Sequence, residues 1–265
     1  MSNNAETKVS TFYNTVGWKT EEGITEDAKR FEDLREHAKE YVSKCRLRVL
    51  RHIPDTGENL LDMASGPIQY REYLEYSKNY KKRYCVDLSQ QALDAARKKI
   101  GDHGVFLHGS IFDISLKKDY FDCVVSLHTI YHIDKDRQEE AVRKLVEVVK
   151  PGKPVIIVYS NPDAINRRLG RLVNFLFRRS TTLQKEKDSS LYFYSHKLKW
   201  WDRFNDIADV NILPWRSFSV NVQTRLFPNN IIGSKMFDLL FFLEEKFPNF
   251  FVKNFTYPMI ILTKT

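Results

Sequence analysis

Acidic residues and a glycine follow two predicted strands of this chain, at the points where those strands end. Asp62 ends one apolar run and is followed by Gly66, and Asp87 ends the next run. A carboxylate at a strand end can accept two hydrogen bonds from a vicinal diol. A glycine in the turn lets the backbone approach a ligand closely. Residues of these types at strand ends indicate a ligand-binding site at this edge of the sheet.

Two histidines follow a third apolar run, over residues 121–127. His128 comes directly after it, and His132 lies on the same helical face if the chain turns there. Imidazole titrates near neutral pH, so either side chain could act as a general base. A His-x-x-x-His pair could also bind zinc, but no third ligand is evident nearby, and we expect no metal site.

Apolar strands and amphipathic helices alternate along the chain, which predicts an α/β fold with a mostly parallel sheet covered on both faces. A long helix is predicted over residues 25–53, with Thr25 as its N-cap. Ligands of such sheets bind beyond the carboxyl ends of the strands. The predicted strands are 58–63, 83–87, 105–108, 121–127, 154–159, 210–213 and 258–263. The other predicted helices are 70–78, 89–100, 135–149 and one that begins near Lys197.

Four motifs occur in the order found in one large family. They read LLDMASGPIQY from Leu60, CVDLS around Asp87, Phe121-Asp122, and Lys150-Pro151-Gly152. With them the chain resembles the class I S-adenosylmethionine-dependent methyltransferases, over roughly residues 40–160. The resemblance implies a Rossmann-like seven-stranded sheet. Ala64 and Ile68 stand where two of the family's glycines would be.

The resemblance also implies S-adenosylmethionine as the cofactor. Asp87 would bind the ribose diol, and Asp62 would orient the ammonium group. Family members often have Gly-Asp after the third strand, where the Asp binds the adenine amino group; here Gly109-Ser110 takes that place. The implied cofactor-binding residues are Asp62, Ala64, Gly66, Asp87, Leu88, Ser110, Ile111 and His128.

Methyl transfer is an in-line displacement at a sulfonium carbon, so the protein mainly supplies alignment and desolvation. A base is needed only where the nucleophile must lose a proton. His128 and His132 are the candidates for that role. Tyr13 is the third candidate catalytic residue, because small-molecule members of the family often close an aromatic N-terminal lid over the cofactor.

We expect a single methyltransferase domain over residues 1–265. Residues 1–53 would form the N-terminal lid and helix, and residues 160–196 and 214–257 would be insertions that cap the site. A capped, aromatic-lined pocket favours a small-molecule acceptor. His196, in the first insertion, could reach it.

The chain is basic, with 42 Lys and Arg against 34 Asp and Glu, and a formal charge of +8. Residues 166–179, NRRLGRLVNFLFRR, form a basic amphipathic pattern, and residues 237–251 are rich in Phe. Packed cap helices are one interpretation; peripheral membrane contact, or a lipid-linked substrate, is another. Nucleic acid is an unfavoured partner, because no binding module is recognisable. The oligomeric state is left open.

Neither a signal peptide nor a membrane-spanning stretch is evident, so a cytoplasmic location is expected. The three cysteines are too widely spaced for a disulfide scaffold or a zinc knuckle. Two alternatives to an active methyltransferase stay open. One is a non-catalytic protein that keeps the fold; the other is a nicotinamide-dependent oxidoreductase, which the absence of G-x-G-x-x-G disfavours.

Overall fold

The computed structural model describes residues 4–165, 167 and 191–265, and a seven-stranded sheet lies at its centre. A two-stranded antiparallel hairpin, β1 with β2, lies outside that sheet. The strands are β1 (Thr20–Glu21), β2 (Ile24–Thr25), β3 (Gly57–Met63), β4 (Tyr80–Asp87), β5 (Gly104–His108), β6 (Cys123–Leu127), β7 (Pro154–Val158), β8 (Ala208–Arg216) and β9 (Tyr257–Lys264).

The order across the large sheet is β5-β4-β3-β6-β7-β9-β8. The first five of these strands run parallel, β9 is antiparallel to β7, and β8 is antiparallel to β9. The predicted α/β fold with seven mostly parallel strands is confirmed. Strand order reverses on the two sides of β3, so the carboxyl ends of β3, β4 and β6 open onto one crevice.

Helices cover both faces of the sheet. The α-helices among the described residues are α1 (Asn4–Phe12), α2 (Glu26–Phe31), α3 (Lys39–Leu47), α4 (Glu72–Glu75), α5 (Gln90–Ile100), α6 (Gln138–Val148), α7 (Val220–Leu226), α8 (Ile231–Lys246) and α9 (Pro248–Asn254). The structure also has short 3-10 helices at Glu36–Ala38, Arg48–His52, Gly101–His103, Ile130–His132 and Leu198–Phe204, and a π-helical turn at Tyr13–Gly17. One core cluster lies on the α6 side of the sheet, and another lies on the opposite side.

The single helix predicted over residues 25–53 is wrong, because the chain breaks after α2. Thr25 does cap α2, and its hydroxyl accepts from the Ala28 amide at 3.2 Å. Glu32 then adopts an extended conformation, and its buried carboxylate pairs with Arg46 and Arg216. Since those partners lie on other elements, the helical periodicity of the sequence carried no sign of the break.

Two other predicted helices are shorter or tighter in the structure. The segment predicted as a helix over residues 70–78 forms only the four-residue α4. The segment that begins near Lys197 forms the 3-10 helix Leu198–Phe204, whose Trp201 and Phe204 are fully buried. Burial of bulky aromatic side chains fixes this segment against the sheet without a regular α-helix.

The helices that follow β8 pack against α3. Phe227, Phe237, Leu240 and Phe251 form a cluster with Tyr41 and its neighbours on α3. Ser219, Val220 and Asn221 of the same insertion line the cavity described below. The basic segment over residues 166–179 lies outside the described residues except for Arg167.

All three cysteines are buried as free thiols. Burial raises the pKa of Cys45 and of Cys85 to about 12, and it raises the pKa of Cys123 as well. In the described part of the chain, no helix combines the length and apolarity needed to span a bilayer.

Candidate functional site

A cavity of about 1,320 Å³ lies at the carboxyl ends of the central strands. The loops after β3, β4, β5 and β6 form one side of it, and the N-terminal segment and the end of β8 form the other. The candidate catalytic and cofactor-binding residues all line this cavity: Tyr13, Asp62, Ala64, Gly66, Asp87, Leu88, Ser110, Ile111, His128 and His132.

The turn after β3 keeps a glycine-type backbone even where glycine is absent. The φ angles are 59° at Ala64, 55° at Gly66 and 49° at Ile68, all in the left-handed region. For a residue with a Cβ, that region costs roughly 1–2 kcal/mol. Ala64 and Ile68 therefore follow the path expected of the two glycines they replace, and the turn stores strain.

Gly66 is required for a second reason. A Cβ built at this position would lie 2.9 Å from Cη2 of Trp18, which packs over the turn. A side chain at this position would therefore displace Trp18 from the turn.

Asp87, at the end of β4, is tied to the turn after β3. Its Oδ2 accepts from the Gly66 amide at 2.8 Å, and its Oδ1 accepts from the Ser89 amide at 2.8 Å. Burial raises the pKa of Asp87 to about 6, despite these two hydrogen bonds. Each carboxylate oxygen retains a lone pair, so the group can accept two further donors from a ligand.

Asp62 is held by a buried ion pair. The guanidinium of Arg83 donates to Oδ2 of Asp62, at 3.1 Å from Nε, and Arg83 is 1% exposed. This pair lies at the base of the turn and fixes the end of β3 to β4. The role of Asp62 toward an ammonium group stays a prediction.

The loop after β5 is joined to the N-terminal helix. The Ser110 hydroxyl donates to Oε1 of Glu6 at 2.5 Å and accepts from the Phe112 amide at 3.2 Å. Glu6 also lines the cavity. A carboxylate from α1 thus lies beside the position where the family often carries an acid.

His128 occupies a strained position among aromatic rings. Its φ is 59°, its Nδ1 lies 2.9 Å from the Tyr131 hydroxyl, and its ring packs edge-on against Trp215 at 4.6 Å. Burial and the positive charge of Arg216 hold the pKa of His128 well below its usual range. The imidazole is therefore neutral at physiological pH and a weak base.

The hydrogen bond of His132 defines its tautomer. Nδ1 lies 2.6 Å from the carbonyl oxygen of Tyr192. Because a carbonyl only accepts, Nδ1 carries the proton and Nε2 keeps its lone pair. Burial lowers the pKa of His132 to about 4, so it is a weak base. Within the described residues, no group of three His, Cys, Asp or Glu side chains is arranged to hold a metal ion.

Tyr13 belongs to an aromatic pair on the N-terminal segment. Its ring stacks on Trp18 at 4.8 Å, and its hydroxyl hydrogen-bonds to Asp27. Burial, and then the negative charges of Asp27 and Asp87, raise the pKa of Tyr13 well above its usual value. The phenol therefore stays protonated and can donate a hydrogen bond.

The far end of the cavity combines a cation with aromatic rings. Arg216 ends β8 and is 4% exposed, and one of its Nη atoms donates to Glu32. The guanidinium lies 4.7 Å from the centre of the Trp215 ring and 5.4 Å from that of Tyr257. Its Nε has no hydrogen-bond partner among the described residues. This end of the cavity is suited to an acceptor with a flat or apolar body and an anionic group.

Sequence reasoning missed several charged residues of the cavity wall, among them Glu6, Asp27 and Arg216. Asp27 looked like an ordinary acidic residue in the first turn of a helix, yet burial raises its pKa to about 6. Glu6 lies in a polar segment without any motif. Arg216 did carry a signal, because a charged residue at the end of an apolar strand near the carboxyl edge is a candidate for ligand binding.

The first insertion contributes to the cavity near its C-terminal end. Leu191 and Phe193 line the cavity, as does Arg167, whose Nη2 donates to Ser160 at 2.9 Å. His196 is not part of the lining and instead stacks on Trp200 at 4.5 Å. The expectation that His196 could reach the pocket is wrong in this structure.

Comparison with known proteins agrees with this fold. Residues 61–157 match the family model described as a methyltransferase domain. The matched region begins within β3 and ends within β7, so it contains all the turns that bear the cofactor motifs. A search of curated proteins finds no match to the chain.

Solved structures share the architecture at low sequence identity. A geranyl diphosphate C-methyltransferase from Streptomyces coelicolor is 13% identical, with 100% of this chain and 99% of that chain covered and a TM-score of 0.57. An S-adenosylmethionine-dependent methyltransferase from Archaeoglobus fulgidus is 19% identical, with 86% of this chain and 94% of that chain covered and a TM-score of 0.54. Phosphoethanolamine N-methyltransferase 2 from Haemonchus contortus is 14% identical, with 83% of this chain and 52% of that chain covered and a TM-score of 0.54.

The sheet order and the solved structures agree on the fold, which is that of S-adenosylmethionine-dependent methyltransferases. Residues 61–157 match a methyltransferase domain. The domain marks the chain as a methyltransferase, an enzyme with S-adenosylmethionine as its cofactor.

Proposed function

We propose that this enzyme transfers a methyl group from S-adenosylmethionine to an oxygen or nitrogen atom of a small molecule bound in the cavity. One observation carries the proposal. The cavity is larger than the roughly 300–1,000 Å³ typical of a single-ligand pocket, and its two ends differ in chemistry. One end has the carboxylate and turn for a nucleoside, and the other has aromatic rings and Arg216.

The cofactor would occupy the end of the cavity between the turn after β3 and the loop after β5. Asp87 would accept from the ribose hydroxyls, and the turn at Gly66 would approach the methionine portion. Ser110, Ile111 and Glu6 surround the region where the adenine would lie. Their hydroxyl, amide and carboxylate groups together can both donate to and accept from a purine edge.

The acceptor would lie beyond the cofactor, between His128 and Arg216. His128 is neutral and a weak base, so it would orient a hydroxyl or amine nucleophile by a hydrogen bond to its ring nitrogen. Its position against Trp215 and Tyr131 holds the ring in one orientation. Tyr13 and Trp18 exclude water from the other side, which favours displacement at the sulfonium carbon.

The relatives named above support a small acceptor with an anionic group. One is named for geranyl diphosphate, and another was solved with phosphomonomethylethanolamine. Both molecules carry phosphate on a small organic body. Arg216 offers a buried cation of the kind that would bind such a group.

Thermal unfolding with S-adenosylhomocysteine tests the cofactor part of the proposal. At 100 times its Kd, a ligand stabilises the folded state by about 2.7 kcal/mol. For a chain of this length that corresponds to a rise in Tm of roughly 5–10 °C. We expect Asp87→Asn to abolish the rise, and the matched control Asp113→Asn, at an exposed acid outside the cavity, to keep it. His128→Gln should keep the rise and lose turnover.

The acceptor part is tested with methyl-labelled S-adenosylmethionine and a fractionated cell extract. Label that appears in the small-molecule fraction, and not with Asp87→Asn, supports the proposal. Label confined to protein or nucleic acid contradicts it, as does a Tm rise that survives Asp87→Asn.

A further inference from the structure

An apolar surface on the second insertion faces solvent. On α8, Ile231 is 65% exposed, Ile232 62%, Leu239 57% and Phe242 59%. Met236 lies between them on the same side of the helix. We call these five side chains the outer face of α8. Phe247 and Phe250, at the junction with α9, are also more than half exposed.

The opposite side of α8 already has its packing partner. Phe237, Leu240 and Glu244 are buried, and Phe237 stacks on Tyr41 of α3 at 4.9 Å. The outer face is therefore not needed to attach α8 to the enzyme. Isolated exposed apolar residues are ordinary, but a contiguous group on one helix marks an interaction surface.

The charges on α8 are sorted between its two sides. Each acidic residue pairs toward the N-terminal helices: Asp238 with Lys44 at 3.4 Å, Glu244 with Arg48 at 2.8 Å, and Glu245 with Arg51 at 2.7 Å. Asp238 and Glu245 are also partly exposed, but each is paired with a cation. The charged residues among the apolar side chains of the outer face are lysines.

Those lysines are Lys235 and Lys246. Both are exposed, and Lys235 has only a distant contact, at 3.8 Å, with Asp238. Arg225 on α7 and Lys253 on α9, the helices before and after α8 in the chain, are also exposed cations. The surface is therefore apolar with a positive fringe.

We propose that the outer face of α8, with Phe247 and Phe250, binds the surface of an anionic lipid bilayer. A helix that presents apolar and aromatic side chains together with lysines lies in the plane of such an interface. A second copy of the chain is a poorer occupant, because it would bring the same cations together. The segment over residues 166–179 is also a poor occupant of the outer face, because its sequence is basic and would meet the same lysines.

The position of α8 relative to the cavity gives this contact a use. Ser219, Val220 and Asn221 line the cavity, and α7 continues from them through a short turn into α8. A bilayer bound at α8 would lie against the same insertion that borders the acceptor end of the cavity. The enzyme could then take an acceptor from the lipid surface. The binding itself does not rest on the proposed function.

Vesicle sedimentation tests the proposal. We expect the enzyme to sediment with vesicles that contain phosphatidylglycerol and about tenfold less with phosphatidylcholine alone. The double variant Leu239→Asn with Phe242→Asn should lower binding to the anionic vesicles by about tenfold or more, because two apolar side chains no longer insert. Ile24→Asn is the matched control: it removes an exposed apolar side chain from the β1–β2 hairpin and should change nothing.

Two charge-reversal variants complete the experiment. Lys246→Glu should weaken binding by about fivefold or more, and Lys98→Glu, the same change on an exposed part of α5, should have a much smaller effect. All five positions are exposed, so Tm should match that of the wild type. No binding to anionic vesicles, or binding that survives the double variant, would overturn the proposal.

A dimer in sedimentation equilibrium that the double variant dissociates would also overturn it, because the face would then serve self-association. S-adenosylhomocysteine is absent from these assays. Failure here is therefore distinct from failure of the cofactor test.

Discussion

The carboxylates of the cavity wall differ in their partners. Asp62 and Glu32 are paired with buried arginines, whereas Asp87 accepts from two backbone amides. An arginine pair neutralises the carboxylate within the protein. Amides leave the carboxylate with capacity for a ligand, and burial without a cation raises the pKa of Asp87 to about 6. Asp87 is thus the acid prepared for a neutral donor such as a ribose hydroxyl.

This pKa predicts how cofactor binding depends on pH. A diol donates to the ionised carboxylate, so protonated Asp87 must lose its proton before it binds. We expect the affinity for S-adenosylhomocysteine to be constant above about pH 7 and to fall below pH 6, by up to tenfold per pH unit. Isothermal titration calorimetry between pH 5 and 8 measures this affinity.

Asp27 titrates in the same range, since burial raises its pKa to about 6 as well. Asp27→Asn is therefore the necessary control, and the pH dependence should survive it. If Asp27→Asn removed the dependence, the titrating group would be Asp27 and the assignment to Asp87 would be wrong.

The strained turn after β3 gives a second prediction at the scale of one residue. Ala64 has a φ of 59°, a conformation that glycine adopts without penalty. Ala64→Gly should therefore raise the free energy of unfolding by roughly 1 kcal/mol, as measured by urea denaturation. Ala96→Gly, in the interior of α5, is the contrasting control and should lower it by about 1 kcal/mol. Equal losses from both changes would show that the turn is not strained.

Among the elements, the break between α2 and α3 depends on Glu32. The two carboxylate oxygens of Glu32 accept from Arg46, at 2.7 Å, and from Arg216. Arg46 is on α3 and Arg216 ends β8, so this one residue joins the N-terminal segment to the far edge of the sheet. Burial alone would raise the pKa of Glu32, but the two guanidinium groups outweigh it and the pKa is lowered.

Removal of that charge should be costly. Glu32→Gln leaves the buried Arg216 without its anion and Arg46 with only Glu72, and we expect a loss of about 3–5 kcal/mol in the free energy of unfolding. Glu26→Gln, which removes surface ion pairs from α2, should cost less than about 1 kcal/mol. Urea denaturation at pH 7 compares the two.

At very low pH, Glu32→Gln and the wild type should have the same free energy of unfolding. The stabilisation from Glu32 is fully present above its unfolded pKa, about 4.3, and is lost as pH falls through its lowered folded pKa. A difference of equal size at pH 7 and at very low pH would contradict the ion-pair explanation.

Elements with local signals were predictable, and elements fixed by distant contacts were not. The seven strands of the large sheet were found because most are apolar runs bounded by turns, and Thr25 was found because capping is local. The short β1–β2 hairpin, which has no apolar run, was not predicted. The end of α2 was missed because Glu32 and Arg216 are far apart in the sequence. Glu6 was missed for the same reason, since its partner Ser110 lies in another part of the chain.

At the scale of the whole molecule, two regions are candidates for binding: the cavity and the outer face of α8. The carboxyl edge of the sheet holds the cavity, and every site residue predicted from the motifs lines it. The chemical identity of its acceptor end could not be predicted, because Arg216, Trp215 and Tyr257 lie outside the matched region and meet His128 only in the fold. The sequence shows that residues 237–251 are rich in Phe, but only the fold shows which side of α8 is exposed.

The burial of every cysteine makes the enzyme suited to site-specific labelling. A thiol with a pKa near 12 is almost entirely protonated at neutral pH and unreactive toward maleimides. A cysteine introduced by Phe242→Cys would therefore be the one accessible nucleophile for such a reagent. A fluorophore attached there would report the polarity of its surroundings. The native thiols would not need to be removed first, so the core would remain unaltered.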